Sequence, residues 1–139
     1  MSFDQKALFF WAISAQNETM TKNDKPTIFV TRRWPAEAEA ALFQHFSPTF
    51  NEDDTPLSAT EMAAGFASHD AIAPTVSDKI GGDIISAGAN GSGRLIANFG
   101  VGVNHIDIEA AAEAGIRVSN TPGVLTDATA DLALTLILM

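Results

Sequence analysis

The sequence contains no cysteine, which excludes disulfide bonds and thiolate metal ligands. It also has no apolar run as long as the roughly 18 to 20 residues that a membrane-spanning helix requires. Basic residues are scarce, because eight Lys and Arg stand against 17 Asp and Glu, and the net charge is −9. A chain of this charge is repelled by phosphate backbones. We therefore expect no nucleic-acid partner, no membrane association and a cytoplasmic location.

The chain of 139 residues is long enough for one domain with a hydrophobic core. Residues 1–24 differ from the remainder and are predicted to be an N-terminal extension, since the apolar run at residues 7–15 is followed by the polar segment QNETMTKNDK. Three interpretations stay open. The segment is a flexible or loosely packed extension, a secretory leader, or sequence upstream of a natural start at Met20. Asp4 is evidence against the secretory leader, because it neutralises the basic end that such a leader requires.

From residue 26 onward, short β-rich segments alternate with helical segments. Strands are predicted at residues 27–31, 49–52, 70–74, 94–98 and 116–119. Pro35 stands where a first helical residue is expected, Ser58 and Glu61 have the spacing of a capping box, and Ser77 and Thr126 are candidate helix caps. Strands of about five residues between helices predict an α/β fold, in which a parallel sheet is covered by helices on both faces.

The turn after the fourth predicted strand, Phe99-Gly100-Val101-Gly102, is a candidate ligand site. In open α/β sheets, ligands bind beyond the carboxyl ends of the strands, and glycines let the backbone approach a ligand closely. If Asn104 caps the next helix and Asp107 reaches back from its third position, the free N–H groups of residues 101–104 offer a site for a carboxylate or phosphate. An ordinary strand-to-helix turn explains the same spacing. The helix is expected to end at Gly115, with Ile116 closing it.

Residues 98–138, NFGVGVNHIDIEAAAEAGIRVSNTPGVLTDATADLALTLIL, resemble the NAD(P)-dependent D-2-hydroxyacid dehydrogenases. Within them, NTPGVLTDATADLA is most similar to the glyoxylate and hydroxypyruvate reductase branch. A weaker similarity continues backward through NEDDTPLS and APTVSDKI to residue 27. The resemblance implies a flavodoxin-like substrate-binding domain at residues 25–125. It also implies that residues 126–139 begin a helix leading to a nucleotide-binding domain that the chain does not contain.

The resemblance also implies roles for individual residues. Val101 and Gly102 match positions whose backbone N–H groups hold the carboxylate of a 2-oxo acid. Val76 matches a residue that lines the substrate pocket, with Thr75 beside it, although ordinary loop packing explains both equally well. Thr129 matches a position near the cofactor, and Val101 is expected to touch the nicotinamide end as well. The family's catalytic Arg, Glu and His lie beyond the point that matches the chain end, so no catalytic residue is expected here.

The implied activity is reduction of glyoxylate or hydroxypyruvate to the D-2-hydroxy acid, with NADH or NADPH, by a complete and homodimeric enzyme. The 139 residues contain no GxGxxG motif for the cofactor pyrophosphate, so the chain alone is expected to be inactive and to bind no cofactor tightly. The alternative is a non-catalytic flavodoxin-like binding or interaction module. The leucine-rich residues 126–139 predict self-association.

No metal site is expected from the remaining polar residues. The three histidines are interpreted as structural or surface residues: His45, His69 and His105. The three neighbouring carboxylates are interpreted as a solvated turn: Glu52, Asp53 and Asp54.

Overall fold

The structure is a computed structural model that describes residues 25–139. The predictions made for residues 1–24 lie outside the described residues. In the described part, the strands are β1 Thr27–Val30, β2 Ser47–Phe50, β3 Ala71–Ala73, β4 Leu95–Ala97 and β5 Arg117–Ser119. The helices are α1 Ala36–His45, α2 Ala59–Ser68, α3 Gly82–Asn90, α4 Ile108–Glu113 and α5 Thr126–Leu138. Between residues 25 and 139, no helix is long and apolar enough to cross a membrane.

The strands form one sheet in the order β2-β1-β3-β4-β5, and every neighbouring pair is parallel. This is the flavodoxin-like strand order, so the predicted fold class is confirmed. β2 lies at an edge, as predicted, but it begins at Ser47 and the predicted range of residues 49–52 was wrong by two residues. Pro48 lies inside β2, which is tolerated because an edge strand has one side without ladder partners.

The two faces of the sheet carry different helices. Side chains alternate along each strand, so neighbouring residues pack on opposite faces. On one face, β1, β3 and β4 pack against Leu42 of α1 and against Phe46, which directly follows that helix. On the other, Ile72 and Ile96 pack against α2, α3 and α4, where Phe66 is fully buried. Coverage of both faces, predicted from the alternation of elements, is therefore confirmed.

The capping box that opens α2 is also confirmed. Ser58 Oγ accepts a hydrogen bond from the N–H of Glu61 at 3.3 Å, and the Glu61 carboxylate accepts one from the N–H of Ser58 at 2.8 Å. This ion also accepts from the Ser58 hydroxyl, which, with the Ser58 N–H, lowers the pKa of Glu61. The helix start thus depends on contacts three residues apart, which a sequence shows directly.

Three other predicted helix starts were wrong. Pro35 is the N-cap of α1 and not its first helical residue. Ser77 caps nothing: α3 begins five residues later, after Gly81, and the Ser77 hydroxyl lies 2.9 Å from that of Thr75. Thr126 is the first residue of α5, whose N-cap position makes no side-chain hydrogen bond.

Asn104 does not cap α4, contrary to the prediction. The N-cap is Asp107, whose Oδ1 accepts from the N–H of Ala110 at 3.0 Å. The reason is a bridge between the segments after β3 and β4, in which Ile80 N donates to His105 O at 2.8 Å and Asp107 N donates to Ile80 O at 2.9 Å. This pairing keeps the residues before Asp107 out of the helix. The C-terminal end of α4 agrees with the prediction, since Gly115 adopts a φ of 69° and Ile116 is buried.

Candidate functional site

Two loops lie side by side at the carboxyl ends of β3 and β4. We name residues 74–80 the β3 loop and residues 98–107 the β4 loop. They are joined where Phe99 N donates to Pro74 O at 2.8 Å and where Thr75 and Phe99 form a parallel bridge. Val76 is exposed and reaches the β4 loop so closely that a methyl group added at Gly100 would overlap its Cγ1. The structure therefore brings Val76 and Thr75 to the turn that contains Val101 and Gly102.

The backbone N–H groups of Val101 and Gly102 are free of protein acceptors within residues 25–139. Both residues are exposed, and 41% of Val101 is accessible. A pair of unengaged N–H donors beyond the carboxyl ends of parallel strands is the arrangement that binds a carboxylate. The helix N-terminus that was expected to reinforce it is not there, because α4 begins only at Ile108. The donors belong to a loop, and the helix dipole adds little at this distance.

The carbonyl groups of the same turn are engaged from the protein side. Gly100 O accepts from Thr121 N at 3.0 Å and from Asn98 Nδ2 at 3.1 Å. Gly102 O accepts from the same Asn98 Nδ2 at 2.9 Å, and Val101 O accepts from Asn120 Nδ2 at 2.8 Å. The turn is thus held through its carbonyl groups, while the N–H groups of Val101 and Gly102 have no acceptor within residues 25–139.

A buried carboxylate holds the β3 loop. Asp78 is only 5% exposed, and its Oδ2 accepts from Thr31 Oγ1 at 2.6 Å, from Thr75 N at 2.8 Å and from Thr75 Oγ1 at 3.2 Å. Thr31 follows β1, so one carboxylate links the ends of two neighbouring strands. Because a buried carboxylate is costly unless its oxygens are hydrogen-bonded, this cluster fixes the loop that presents Val76.

His105 joins the β4 loop through a second buried polar group. Its Nε2 lies 2.9 Å from Oδ1 of Asn98, which is 3% exposed. Since Asn98 Nδ2 already donates to two carbonyl groups, Oδ1 faces the imidazole and Nε2 carries the proton. Burial lowers the pKa of His105, while the negative charge of Asp78 opposes that shift. As a neutral histidine that donates to an amide, His105 helps to hold the loop, and its interpretation as a structural residue stays a prediction.

An aromatic pair borders the two loops. The rings of Trp34 and Phe99 stack with centroids 4.7 Å apart and an interplanar angle of 25°. The Trp34 indole N–H is buried and has no hydrogen-bond partner within residues 25–139. Sequence reasoning missed this pair, as it missed Asn98 and Asp78. Their positions in the sequence could have indicated them, since Trp34, Asp78, Asn98 and Phe99 each lie in a segment that follows a strand.

The other polar candidates form no metal site. His69 donates from Nδ1 to Gly65 O at 2.8 Å and its Nε2 lies 3.0 Å from Thr49 Oγ1, which ties α2 to β2. Asp54 accepts from the N–H of Arg33 and from Arg32 Nε, both at 2.9 Å, and these contacts lower its pKa. In the described part of the chain, no group of three or more His, Asp or Glu residues is arranged to hold a metal ion.

The described residues do not fit a dinucleotide by themselves. The sequence has no glycine-rich phosphate loop of the GxGxxG type. Thr129 lies in the first turn of α5, where its N–H donates to Leu125 O at 3.0 Å and its side chain is exposed. Thr129 and Val101 are thus two accessible positions, and their contact with a cofactor stays a prediction.

Comparison with known proteins identifies the family. A sequence model of the catalytic domain of D-isomer specific 2-hydroxyacid dehydrogenases matches residues 28–134, which is most of the chain. The chain belongs to the D-isomer specific 2-hydroxyacid dehydrogenase family. The resemblance that was inferred from residues 98–138 is therefore confirmed, and so is its extension back to the first strand.

Several relatives of this D-2-hydroxyacid dehydrogenase chain are glyoxylate reductases. The glyoxylate reductase of Thermococcus onnurineus is 34% identical over 114 residues, which are 82% of this chain and 34% of that protein. The glyoxylate reductase/hydroxypyruvate reductase of Homo sapiens is 36% identical over 113 residues, which are 80% of this chain and 34% of that protein. The chain therefore spans about a third of the length of the curated relatives it matches.

A solved structure shows the same D-2-hydroxyacid dehydrogenase architecture. It is the NADPH-dependent glyoxylate/hydroxypyruvate reductase from Sinorhizobium meliloti, in complex with NADP and malonate. The TM-score is 0.67 at 31% sequence identity, and the match covers 83% of this chain and 34% of that one.

Proposed function

We propose that this chain is the substrate-binding part of an oxidoreductase that reduces a small 2-oxo acid, glyoxylate or hydroxypyruvate, to the D-2-hydroxy acid. The observation that carries the proposal is the pair of free N–H donors of Val101 and Gly102 at the carboxyl edge of the sheet. The names of the relatives support the substrate class. The NADP in the Sinorhizobium meliloti structure supports NAD(P)H as the cofactor of the complete enzyme.

In this proposal, the β4 loop holds the carboxylate of the substrate. Two N–H groups donate to its oxygens, and hydrogen bonds to an ion are stronger than those between neutral groups. Val76 lies across from Gly100 and limits the space beside the bound acid. When bound in the complete enzyme, NAD(P)H would supply a hydride for the carbonyl carbon, and the orientation in which the β4 loop holds the acid would decide which face is presented to it. The loop then acts by fixing that orientation.

The domain boundaries follow from the same proposal. Residues 25–125 form the substrate-binding domain, and residues 126–139 begin the helix that leads to a nucleotide-binding domain. Every residue from 126 to 139 is exposed, which suits a helix that packs on another body. We further propose that the complete enzyme is a cytoplasmic homodimer and that Thr129 lies near its cofactor.

Titration of the 139-residue protein, labelled with ¹⁵N, tests the substrate site. The probe is oxamate, which carries a carboxylate next to a carbonyl group and is not reduced. We expect the amide resonances of Val101 and Gly102 to shift saturably with oxamate and to stay in place with neutral acetamide. Shifts spread over the whole sheet, or none at these two residues, would contradict the proposed site.

The activity of the chain is tested separately, by adding glyoxylate to the purified protein and following oxidation of NADH and of NADPH. No turnover is expected, because the sequence contains no pyrophosphate loop and, within residues 25–139, the imidazole at the site is hydrogen-bonded to the Asn98 amide and not to a carboxylate. Clear turnover would contradict the proposal that the catalytic groups lie outside this sequence.

A second candidate function is a non-catalytic interaction module. It is favoured by α5, whose apolar side chains are strongly exposed, with Leu132 at 60% and Ile137 at 78%. A non-catalytic module does not require the N–H groups of Val101 and Gly102 to be accessible to an acid. The oxamate titration separates the two functions, since the module predicts no response at Val101 and Gly102.

A further inference from the structure

The direction of each free N–H group in the β4 loop is set by the carbonyl group of the preceding residue. A trans peptide unit is planar, and its C=O and N–H point in opposite directions. No peptide bond in residues 25–139 is cis. The N–H of Val101 is therefore aimed by whatever holds the carbonyl of Gly100, and the N–H of Gly102 is aimed by whatever holds the carbonyl of Val101.

The first of these carbonyls is held by the N–H of Thr121 at 3.0 Å and by a buried side-chain amide. Asn98 Nδ2 donates to Gly100 O at 3.1 Å and to Gly102 O at 2.9 Å, so one NH₂ group binds both sides of Val101. The amide cannot rotate freely, because its Oδ1 accepts from His105 Nε2 at 2.9 Å and the residue is 3% exposed. Both N–H donors of the Asn98 amide and one of the two lone pairs of its oxygen are therefore engaged.

The second carbonyl is held from the neighbouring strand. Asn120, which directly follows β5, donates from Nδ2 to Val101 O at 2.8 Å. Unlike Asn98, it is exposed, so its side chain can be removed without opening a cavity in the core. One asparagine thus serves each of the two donors, and the two come from adjacent strands of the sheet.

We infer that Asn98 and Asn120 are positioning residues, which aim the N–H groups of Val101 and Gly102 at the carboxylate of the substrate. The inference rests on the proposed function of this loop. His105 contributes by fixing the orientation of the Asn98 amide. Neither asparagine touches the acid: each acts through a carbonyl group on the far side of a peptide plane.

The test compares Asn120→Ala with Asn104→Ala in the oxamate titration. Asn104 is an exposed asparagine in the β4 loop, which also contains Val101 and Gly102. Its side chain makes no hydrogen bond within residues 25–139, so it is the matched control. We expect Asn120→Ala to weaken oxamate binding about fivefold, since one loop residue must then be ordered on binding. The loss of response should be largest at Gly102, with an unchanged melting temperature. Asn104→Ala should bind as the unsubstituted protein does.

Asn98→Ser adds the second arm, with ¹⁵N relaxation measured in the absence of oxamate. We expect increased motion of the Val101 N–H on the picosecond to nanosecond timescale, which is a readout that stays available if binding is lost. Equal oxamate affinity in the Asn120→Ala and unsubstituted proteins, or an unchanged Val101 N–H in Asn98→Ser, would overturn the inference while leaving the carboxylate site intact. No oxamate response in the unsubstituted protein would overturn the proposed function, and the inference with it.

Discussion

Packing of Val76 against Gly100 should control the stability of the site, and Gly100→Ala tests this contact. The new Cβ would overlap Val76 Cγ1 and would lie 3.5 Å from Asn98 Nδ2, which is ordinary contact. Overpacking of this kind costs about 1 to 3 kcal/mol. Because Val76 is 60% exposed, it can move into solvent, so we expect the lower end of this range. For a chain of this size, about 1 kcal/mol corresponds to a fall in Tm of roughly 4 °C.

A double-mutant cycle shows whether Val76 is the obstacle. Val76→Ala removes Cγ1 from an exposed side chain and should change stability by less than about 0.5 kcal/mol. The combination of Gly100→Ala with Val76→Ala should therefore recover most of the lost Tm. Gly102→Ala is the stability control, since a Cβ there meets no atom within 4 Å. Thermal unfolding followed by circular dichroism is the assay. A double variant as unstable as Gly100→Ala alone would refute the reasoning.

Three further predictions concern α2, His105 and α5. Ser58→Ala removes the capping box and should lower the free energy of urea unfolding by about 1 kcal/mol. Ser92→Ala is the control and should change it by nothing measurable, because Ser92 is exposed and its hydroxyl has no hydrogen-bond partner within residues 25–139. Burial lowers the pKa of His105, so below about pH 6.5 the unfolded chain binds more protons than the folded chain. The Tm should therefore fall as the pH is lowered from about 7.5 to 5.5, and it should fall less in His105→Gln. An equal change of Tm with pH in both proteins would exclude His105 as the cause. The exposed leucines of α5 should make the protein self-associate, which sedimentation velocity measures. The double variant Leu132→Gln with Leu136→Gln should be a monomer, whereas the control Thr135→Gln should still self-associate. A monomeric unsubstituted protein would contradict this prediction.

The fold was predictable because its signals are local. The alternation of strands and helices gave the parallel sheet, and the serine–glutamate pair three residues apart gave the start of α2. The error at the start of α4 arose because two polar residues of similar capping preference compete there. Both Asn104 and Asp107 are good N-caps, and the choice between them is made by Ile80, which is more than twenty residues away in sequence. Hydrogen bonds between residues so far apart in the chain cannot be predicted from the local spacing of residue types.

The site was predictable only in part, for the same reason. The position of Val101 and Gly102 follows from the glycine turn and the family resemblance, and their role stays a prediction. What holds the loop was not visible in the sequence. Asp78 binds Thr31 across 47 residues, and a serine next to it was mistaken for a helix cap. A buried polar residue and an exposed one look alike in sequence, because burial is decided by the elements that pack over them.

The donors of the β4 loop are neutral, and this limits how tightly the 139-residue chain can bind an acid. Two hydrogen bonds to a carboxylate contribute about 3 to 6 kcal/mol net, which the loss of translational and rotational freedom, at about 4 kcal/mol or more, largely offsets. The net charge of −9 opposes any anion further. We therefore expect a Kd for oxamate of about 1 mM or weaker. Micromolar binding would contradict this estimate, because it would require a cationic side chain within these residues to reach Val101. In the proposed enzyme, the loop thus fixes the orientation of the acid, and most of the affinity has to come from a positive charge outside it.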